Sequence, residues 1–401
     1  MIEKTKTVKT VNKESKKKNA LIQKWKKYPN VDFVFLVLAL SLLVIGLAML
    51  FSASFAKAYS EQGDSYYYIS KQLQWAVLGL LAMGAASVFP YKFYKPILMV
   101  LYPICIVLLS LVYVLPSSDY QKRWIYIGGF QFQPSEIAKL AVILALAYYF
   151  SKYKKLVRKP GEKAIVFEAK NFMVTTVIPG LIFGIPCALV LFETHLSGAI
   201  LILGVGGMML IISGCPKRYI LPIVILAVIA LLYVAFGTDY MTSRINVFLN
   251  PETDPTGDAY QIRQSLYAIG SGGLFGVGYG ASGQKYLYLP EPQNDFIFAI
   301  VAEELGFVGV AAIMALFVLL IWRGIKIGMC APNRFTAFIA FGITIQIALQ
   351  VVLNLAVVCN FIPVTGISLP FFSYGGTALA ILLGEIGIML QISRYASLKN
   401  K

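Results

Sequence analysis

Residues 289–306 read LPEPQNDFIFAIVAEELG. An apolar run begins at Phe296 and continues to about residue 322, yet it carries Asp295 at its head and Glu303 and Glu304 inside. A helix of roughly 20 apolar residues crosses ~30 Å of hydrocarbon, so the run is expected to be a membrane span. Acids in a span are costly and usually face the bundle interior or a polar cavity. Asp295 falls at the boundary between water and membrane. Glu303 and Glu304 lie roughly 12 Å deeper at 1.5 Å per residue, too far from Asp295 for a paired-carboxylate site.

The rest of the chain supports a membrane reading. It has 401 residues, 58% hydrophobic and 13% charged, with a mean hydropathy of +0.72. Soluble domains carry about a quarter charged residues. The expected class is an all-α polytopic membrane protein of about ten transmembrane helices. The spans fall near 32–54, 73–91, 97–115, 135–151, 171–192, 196–213, 219–237, 296–322, 335–357 and 374–392. They are flanked by a Lys-rich tail (1–31) and a short C-terminal tail (396–401), with a long loop (238–295) between spans seven and eight. The net charge of +16 is a topology signal, not a mark of nucleic-acid binding. With both termini cytoplasmic, Lys92, Lys95, the KYKKLVRK segment, Lys217, Arg218, Arg323, Lys326 and Arg334 all fall inside, as the positive-inside rule requires. The long loop is then extracytoplasmic. The five cysteines show no paired spacing and there is one histidine, His195. Neither a disulfide framework nor a His-based metal site is expected.

Several motifs carry polar chemistry. Asp295 has two readings: a cap of the helix that follows, with Asn294 as N-cap, or a general base whose pKa rises against an apolar wall. Glu303 and Glu304 suit a structural ion pair with a buried Lys or Arg, or pocket shaping. In QKRWIYIGGFQFQPSEIAK (121–139), Ser135 is expected to cap the helix that Pro134 opens, and Glu136 and Lys139 share a helix face at i, i+3. Arg123 and Lys139 could receive a lipid phosphate. The stretch 260–290 offers Gln261, Arg263, Gln264, Ser265 and Lys285. Its GYGASG (278–283) matches a dinucleotide fingerprint only formally, because no strand precedes it. TGISLPFFSYGG (365–376) looks re-entrant, with Ser373 able to line a cavity. His195, in FETHLSG, is more often structural than catalytic.

Taken in order, RWI with QPSEIAK, the RI/F/P run at 244–251, YQIRQSLYAIGSGGLFGVG, LPEPQNDFIFA with EELG, and LPFFSYGG make the chain similar to the SEDS family (shape, elongation, division, sporulation). This is the group of FtsW, RodA and SpoVE, and the chain is closer to the FtsW/SpoVE branch. The resemblance spans about residues 32–395. It implies a peptidoglycan glycosyltransferase in the bacterial cytoplasmic membrane that polymerises lipid II at the outer face, in cell division or sporulation. A class B penicillin-binding protein transpeptidase and other divisome or sporulation membrane proteins would be its partners. The family's essential acid maps onto Asp295 as general base, and its paired residues onto Glu136 and Lys139. The expected substrate-binding set is Arg123, Lys139, Arg244, Gln261, Gln264, Ser265, Lys285 and Ser373, with Glu136, Glu303 and Glu304 supporting the site. The diphosphate would accept a divalent cation, Mg or Mn; no carboxylate cage for one is visible and no other cofactor is expected. Two places depart from the family pattern. Thr-His-Leu-Ser (194–197) stands where many relatives have Pro-Asp-Leu-Gly, and Thr365 where some have Lys. The competing functions are a lipid II flippase, with the same substrate and buried charges, and a non-catalytic division scaffold.

Overall fold

The computed structural model describes residues 31–114, 123–127, 130–153, 163–193, 195–222, 224–225, 229, 244–245, 247–249 and 257–396, apart from the side chains of Lys92, Ile127, Phe130 and Asp258. Most of the basic tail, most of the KYKKLVRK segment, most of the expected span at 219–237 and much of the loop after it lie outside these residues.

The described helices are α1 (Phe33–Gln62), α2 (Tyr67–Val88), α3 (Tyr94–Val114), α4 (Pro134–Lys152), α5 (Ala164–Phe192), α6 (Leu196–Ile212), α7 (Asp258–Gly272), α8 (Ile297–Met329), α9 (Arg334–Val358) and α10 (Gly376–Tyr395). Six of them, α1, α3, α5, α8, α9 and α10, are long and apolar enough to cross a membrane. Their ends follow local chemistry. Asp32 caps α1 by accepting from the Phe35 N–H at 3.0 Å, and Gly63 closes it in a left-handed conformation at φ 71°. Asn333 caps α9 through the Thr336 N–H. Asp32 also accepts from Arg323 Nε at 2.7 Å, and its own N–H donates to Ser393 Oγ at 3.0 Å. The start of α1 is thereby tied to the end of α8 and to α10.

α10 lies along α2, and α9 packs against α4, α6 and α8, placing α9 near the centre of the bundle. α9 and α10 bury the largest share of their surface among the six. Phe296, Phe317, Phe372, Ile143 and Ile202 are almost fully buried in this core.

Before α4, Ile125–Ile127 (β1) and Phe130–Phe132 (β2) form a small antiparallel hairpin with Ile125 opposite Phe132. Three local expectations need correction. Gln133, not Ser135, occupies the N-cap of α4, with Pro134 in the first turn and no side-chain cap. Phe296 stands at the cap of α8, because the Asn294 amide is turned back to donate to Glu291 Oε2 at 2.8 Å. The loop at 238–295 contains α7, which packs on α8 and buries Ala259, Ile262 and Ala268.

α8 is also not one continuous rod. Gly306 has φ 64° and ψ −170°, a conformation open in practice only to glycine. Backbone groups freed at the break are taken up by the segment after α7. Val277 and Gly278 N–H donate to Glu303 and Glu304 carbonyls at 2.9 and 3.1 Å, while Phe307 and Val308 N–H donate to Gly273 and Leu274 carbonyls at 2.9 and 3.0 Å. A Cβ on Gly306 would collide with the Gly276 backbone. Non-helical backbone is tolerated in an apolar bundle only where protein satisfies it in this way.

Candidate active site

A cavity of about 370 Å³ opens among the hairpin, α4, α6, α9, α10 and the 366–376 loop. Asp295, Arg123, Glu136, Lys139, His195 and Ser373 all line it. Three interactions fix the backbone at Asp295. Its carbonyl accepts from Asn354 Nδ2 on α9 at 2.8 Å, and the same amide reaches the Ile367 carbonyl at 2.7 Å. One residue pair earlier in the chain, the Gln293 carbonyl accepts from the Tyr374 N–H at 2.8 Å. Glu291, at φ 48°, gathers Gln293 Nε2 at 2.9 Å and Asn294 Nδ2 at 2.8 Å and pairs with Lys57 of α1. The carboxylate of Asp295 stands over Gly366, where a Cβ would sit 3.3 Å from Oδ2; this loop glycine has φ 77°.

Burial raises the Asp295 carboxyl above the usual aspartate range, and Glu291 adds to the rise; Arg123 and Arg244 pull the other way. A desolvated carboxylate within electrostatic reach of two cationic side chains suits a proton acceptor. Lys139 is almost fully buried and pairs with Glu136 Oε2 at 2.8 Å, as the i, i+3 spacing predicts. His195 lies 3.5 Å from Gln133 across their ring and amide nitrogens. Burial, then Arg123 and Lys139, push its pKa down to about 3, so the imidazole is neutral. Near it, burial pushes the Glu193 carboxyl up to about 8.

The remaining expected residues are distributed differently. Ser373 lines the cavity, with its hydroxyl accepting the Leu369 N–H at 2.8 Å. Arg244 does not line the cavity, but it donates to the Val364 carbonyl at 2.9 Å and acts on Asp295 through its charge. Gln261, Gln264 and Ser265 sit on α7 away from the cavity. Gln261 ties α7 to the Pro290 carbonyl at 3.0 Å, and Ser265 ties it to the Val358 carbonyl at 3.0 Å. Lys285, expected at the substrate, is instead the buried cation that Glu304 called for. Its ammonium lies 3.0 Å from Glu304 Oε1, 3.1 Å from Ser52 Oγ and 2.6 Å from the Gly280 carbonyl. Glu303 accepts from the Ser282 hydroxyl and from the Gly283 N–H at 3.0 Å. These two acids anchor the loop before Asp295 to the helix after it.

Other polar residues of the site belong to no sequence motif. Gln346, Gln350 and Asn354 stand at i, i+4 and i+8 on α9 and are all buried. Gln346 and Gln350 line the cavity, and Glu385 of α10 is fully buried against Gln346. The signal was present in the sequence: three carboxamides on one face of an apolar helix.

The family model described as "Cell cycle protein" (FtsW, RodA, SpoVE) matches residues 32–398. Stage V sporulation protein E of Bacillus subtilis (strain 168) is 38% identical over 374 residues, covering 92% of this chain and 99% of that protein. A probable peptidoglycan glycosyltransferase FtsW of Geobacter sp. (strain M18) is 37% identical, covering 90% and 96%. Among solved structures, the chain is similar to a chain of a peptidoglycan synthase complex reported for the structural coordination of polymerization and crosslinking. That match has a TM-score of 0.72 and 26% identity over 92% of this chain and 98% of that one. The rod shape determining protein RodA of Thermus thermophilus gives a TM-score of 0.65 at 26% identity, again over 92% and 98%. The chain belongs to the FtsW/RodA/SpoVE family of cell cycle proteins.

Proposed function

We propose that the chain is a peptidoglycan glycosyltransferase that polymerises lipid II at the outer face of the bacterial cytoplasmic membrane, in cell division or sporulation. The supporting observation is a carboxylate with a raised pKa and two cationic side chains, Arg123 and Lys139, in one cavity. Asp295 takes the proton from the 4-hydroxyl of the acceptor GlcNAc. The freed oxygen attacks the anomeric carbon of the donor MurNAc, and the bond to undecaprenyl diphosphate breaks. A single displacement inverts the α-linked donor to a β-1,4 bond. Diphosphate is already a good leaving group, so no second carboxylate is required. Arg123, Lys139 and Arg244 balance its charge as it departs. Glu136 holds Lys139 in place. A Mg or Mn ion would enter on the diphosphate, since among the described residues no group of three His, Cys, Asp or Glu is arranged to hold one.

In this proposal the chain has ten spans, both termini are cytoplasmic and the cavity faces outward. The solved peptidoglycan synthase complex supports a class B penicillin-binding protein as partner. The test is a glycan ladder from labelled lipid II, made by purified protein with its cognate penicillin-binding protein, wild type beside D295N. General acid–base catalysis contributes ~10²–10⁴-fold, so D295N should fall by that factor while remaining folded. Appreciable polymerisation by D295N refutes the base. Absence of ladders from wild type favours the flippase, which lipid II translocation in vesicles would then reveal.

A further inference from the structure

Gln346, Gln350 and Asn354 form a polar stripe down one face of α9. Its outer end touches the catalytic loop, because Asn354 holds the Asp295 carbonyl. Its inner end, Gln346, lies roughly 12 Å away along the helix axis. There Gln346 Nε2 donates to both oxygens of Glu385, at 3.2 and 2.9 Å. Glu385 is fully buried and within electrostatic reach of Lys139 and Glu136.

This pairing fixes the polarity of the carboxamide. The amide nitrogen lies within hydrogen-bond distance of both Glu385 oxygens, so Oε1 faces away. Gln346 Oε1 is buried and has no hydrogen-bond partner among the described residues, while the residue lines the cavity. Buried acceptors without a donor are uncommon in folded proteins. Lys139, a cation lining the same cavity, is engaged by Glu136.

We propose that Gln346 is a substrate-positioning residue at the inner end of the cavity, its carbonyl oxygen accepting a hydrogen bond from a hydroxyl or acetamido N–H of the lipid-linked saccharide, and that Glu385 positions it. The proposal rests on the polymerase assignment for the identity of the ligand. Asp295 acts on the reacting hydroxyl at one end of the wall, and Gln346 sets how far the saccharide enters at the other. Glu385 never touches substrate; it keeps the amide from turning over and presenting a donor.

The experiment measures equilibrium binding of fluorescently labelled lipid II to purified protein, beside thermal midpoints in detergent. The variants are Q346M, E385Q and Q346M/E385M. Q346M should weaken binding about tenfold, the value of one hydrogen bond whose loss strands a buried donor. E385Q, in which either end of the new amide can face Gln346, should weaken it about threefold. The double variant is the deciding case. Well-packed apolar replacements for a buried polar pair are tolerated, so its thermal midpoint should match wild type while its binding remains about tenfold weaker. Wild-type binding by the double variant overturns the proposal and makes the pair a packing feature only. A parallel glycan ladder separates the two hypotheses: ladders absent from wild type with the binding loss present remove the polymerase assignment and keep the Gln346 subsite.

Discussion

Replacing Lys285 with Met removes the ammonium that holds Glu304 inside the bundle. The two side chains are 4% and 0% exposed, and their charged atoms stand 3.0 Å apart. At an effective dielectric of 20, unit charges at that separation attract by about 5 kcal/mol. Removing one member of such a pair strands the other, at about 3–5 kcal/mol. Ser52, which donates to both Glu304 oxygens at 2.7 and 2.8 Å, offsets a part of this loss. The Gly280 carbonyl, which receives its bond from Lys285 at 2.6 Å, adds to it. K285M should therefore lose about 3 kcal/mol or more, a large fraction of the ~5–15 kcal/mol that holds a typical domain folded. Heating detergent-solubilised protein and following the monodisperse peak by size-exclusion chromatography measures the effect. K285M/E304L removes both charges and should recover most of the midpoint. A wild-type midpoint in K285M, or a double variant less stable than the single, would refute the assignment of the ion pair as the clamp on this loop.

Polymerisation should fall on acidification with a half-point above the ~3.9 of an exposed aspartate, because the base must be ionised and burial raises its pKa. R123Q should move that half-point further up, since Arg123 holds the Asp295 carboxyl down; an unchanged or lower half-point in rate–pH profiles contradicts this. G306A should be destabilised by at least ~1–3 kcal/mol from backbone strain, with the clash against Gly276 added, and its thermal midpoint should drop. Glu193 is held protonated to about 8, against ~4.3 in an unfolded chain. Its contribution is fully present below that lower value and is lost as pH rises through about 8. E193Q should therefore be more stable than wild type at pH ~9 and equal to it at pH ~4, as read by thermal midpoints.

The helical scaffold is largely legible in the apolar runs, because a membrane forces length and hydropathy on a segment independently of its neighbours. Expected segments from 32–54 through 374–392 overlap α1 to α6 and α8 to α10. The Glu136–Lys139 pair was equally accessible, since helical spacing alone brings the two together. Lys285 shows the limit. Hydropathy says that Glu304 needs a cation, but which one depends on how the glycine-rich stretch folds back. α7 was hidden because its buried face has only small and single apolar residues, Ala259, Ile262 and Ala268, among Gln, Arg and Tyr. The pairing of Gln346 with Glu385 joins two helices and has no sequence-local signature.

The interruption at Gly306 bears on how the protein fits its bilayer. As one straight rod, the 33 residues of α8 would be roughly 50 Å long, far beyond the ~30 Å of hydrocarbon. Divided at Gly306, residues 307–329 make a piece of roughly 35 Å, which spans with modest tilt. The shorter piece that carries Asp295 at its head is then released from matching lipid thickness. Its tilt is set by the Gly273–Gly278 backbone bonded across the break rather than by the membrane. Bilayers of different thickness would tilt the lower rod and leave the Asp295 carboxylate where the protein scaffold holds it.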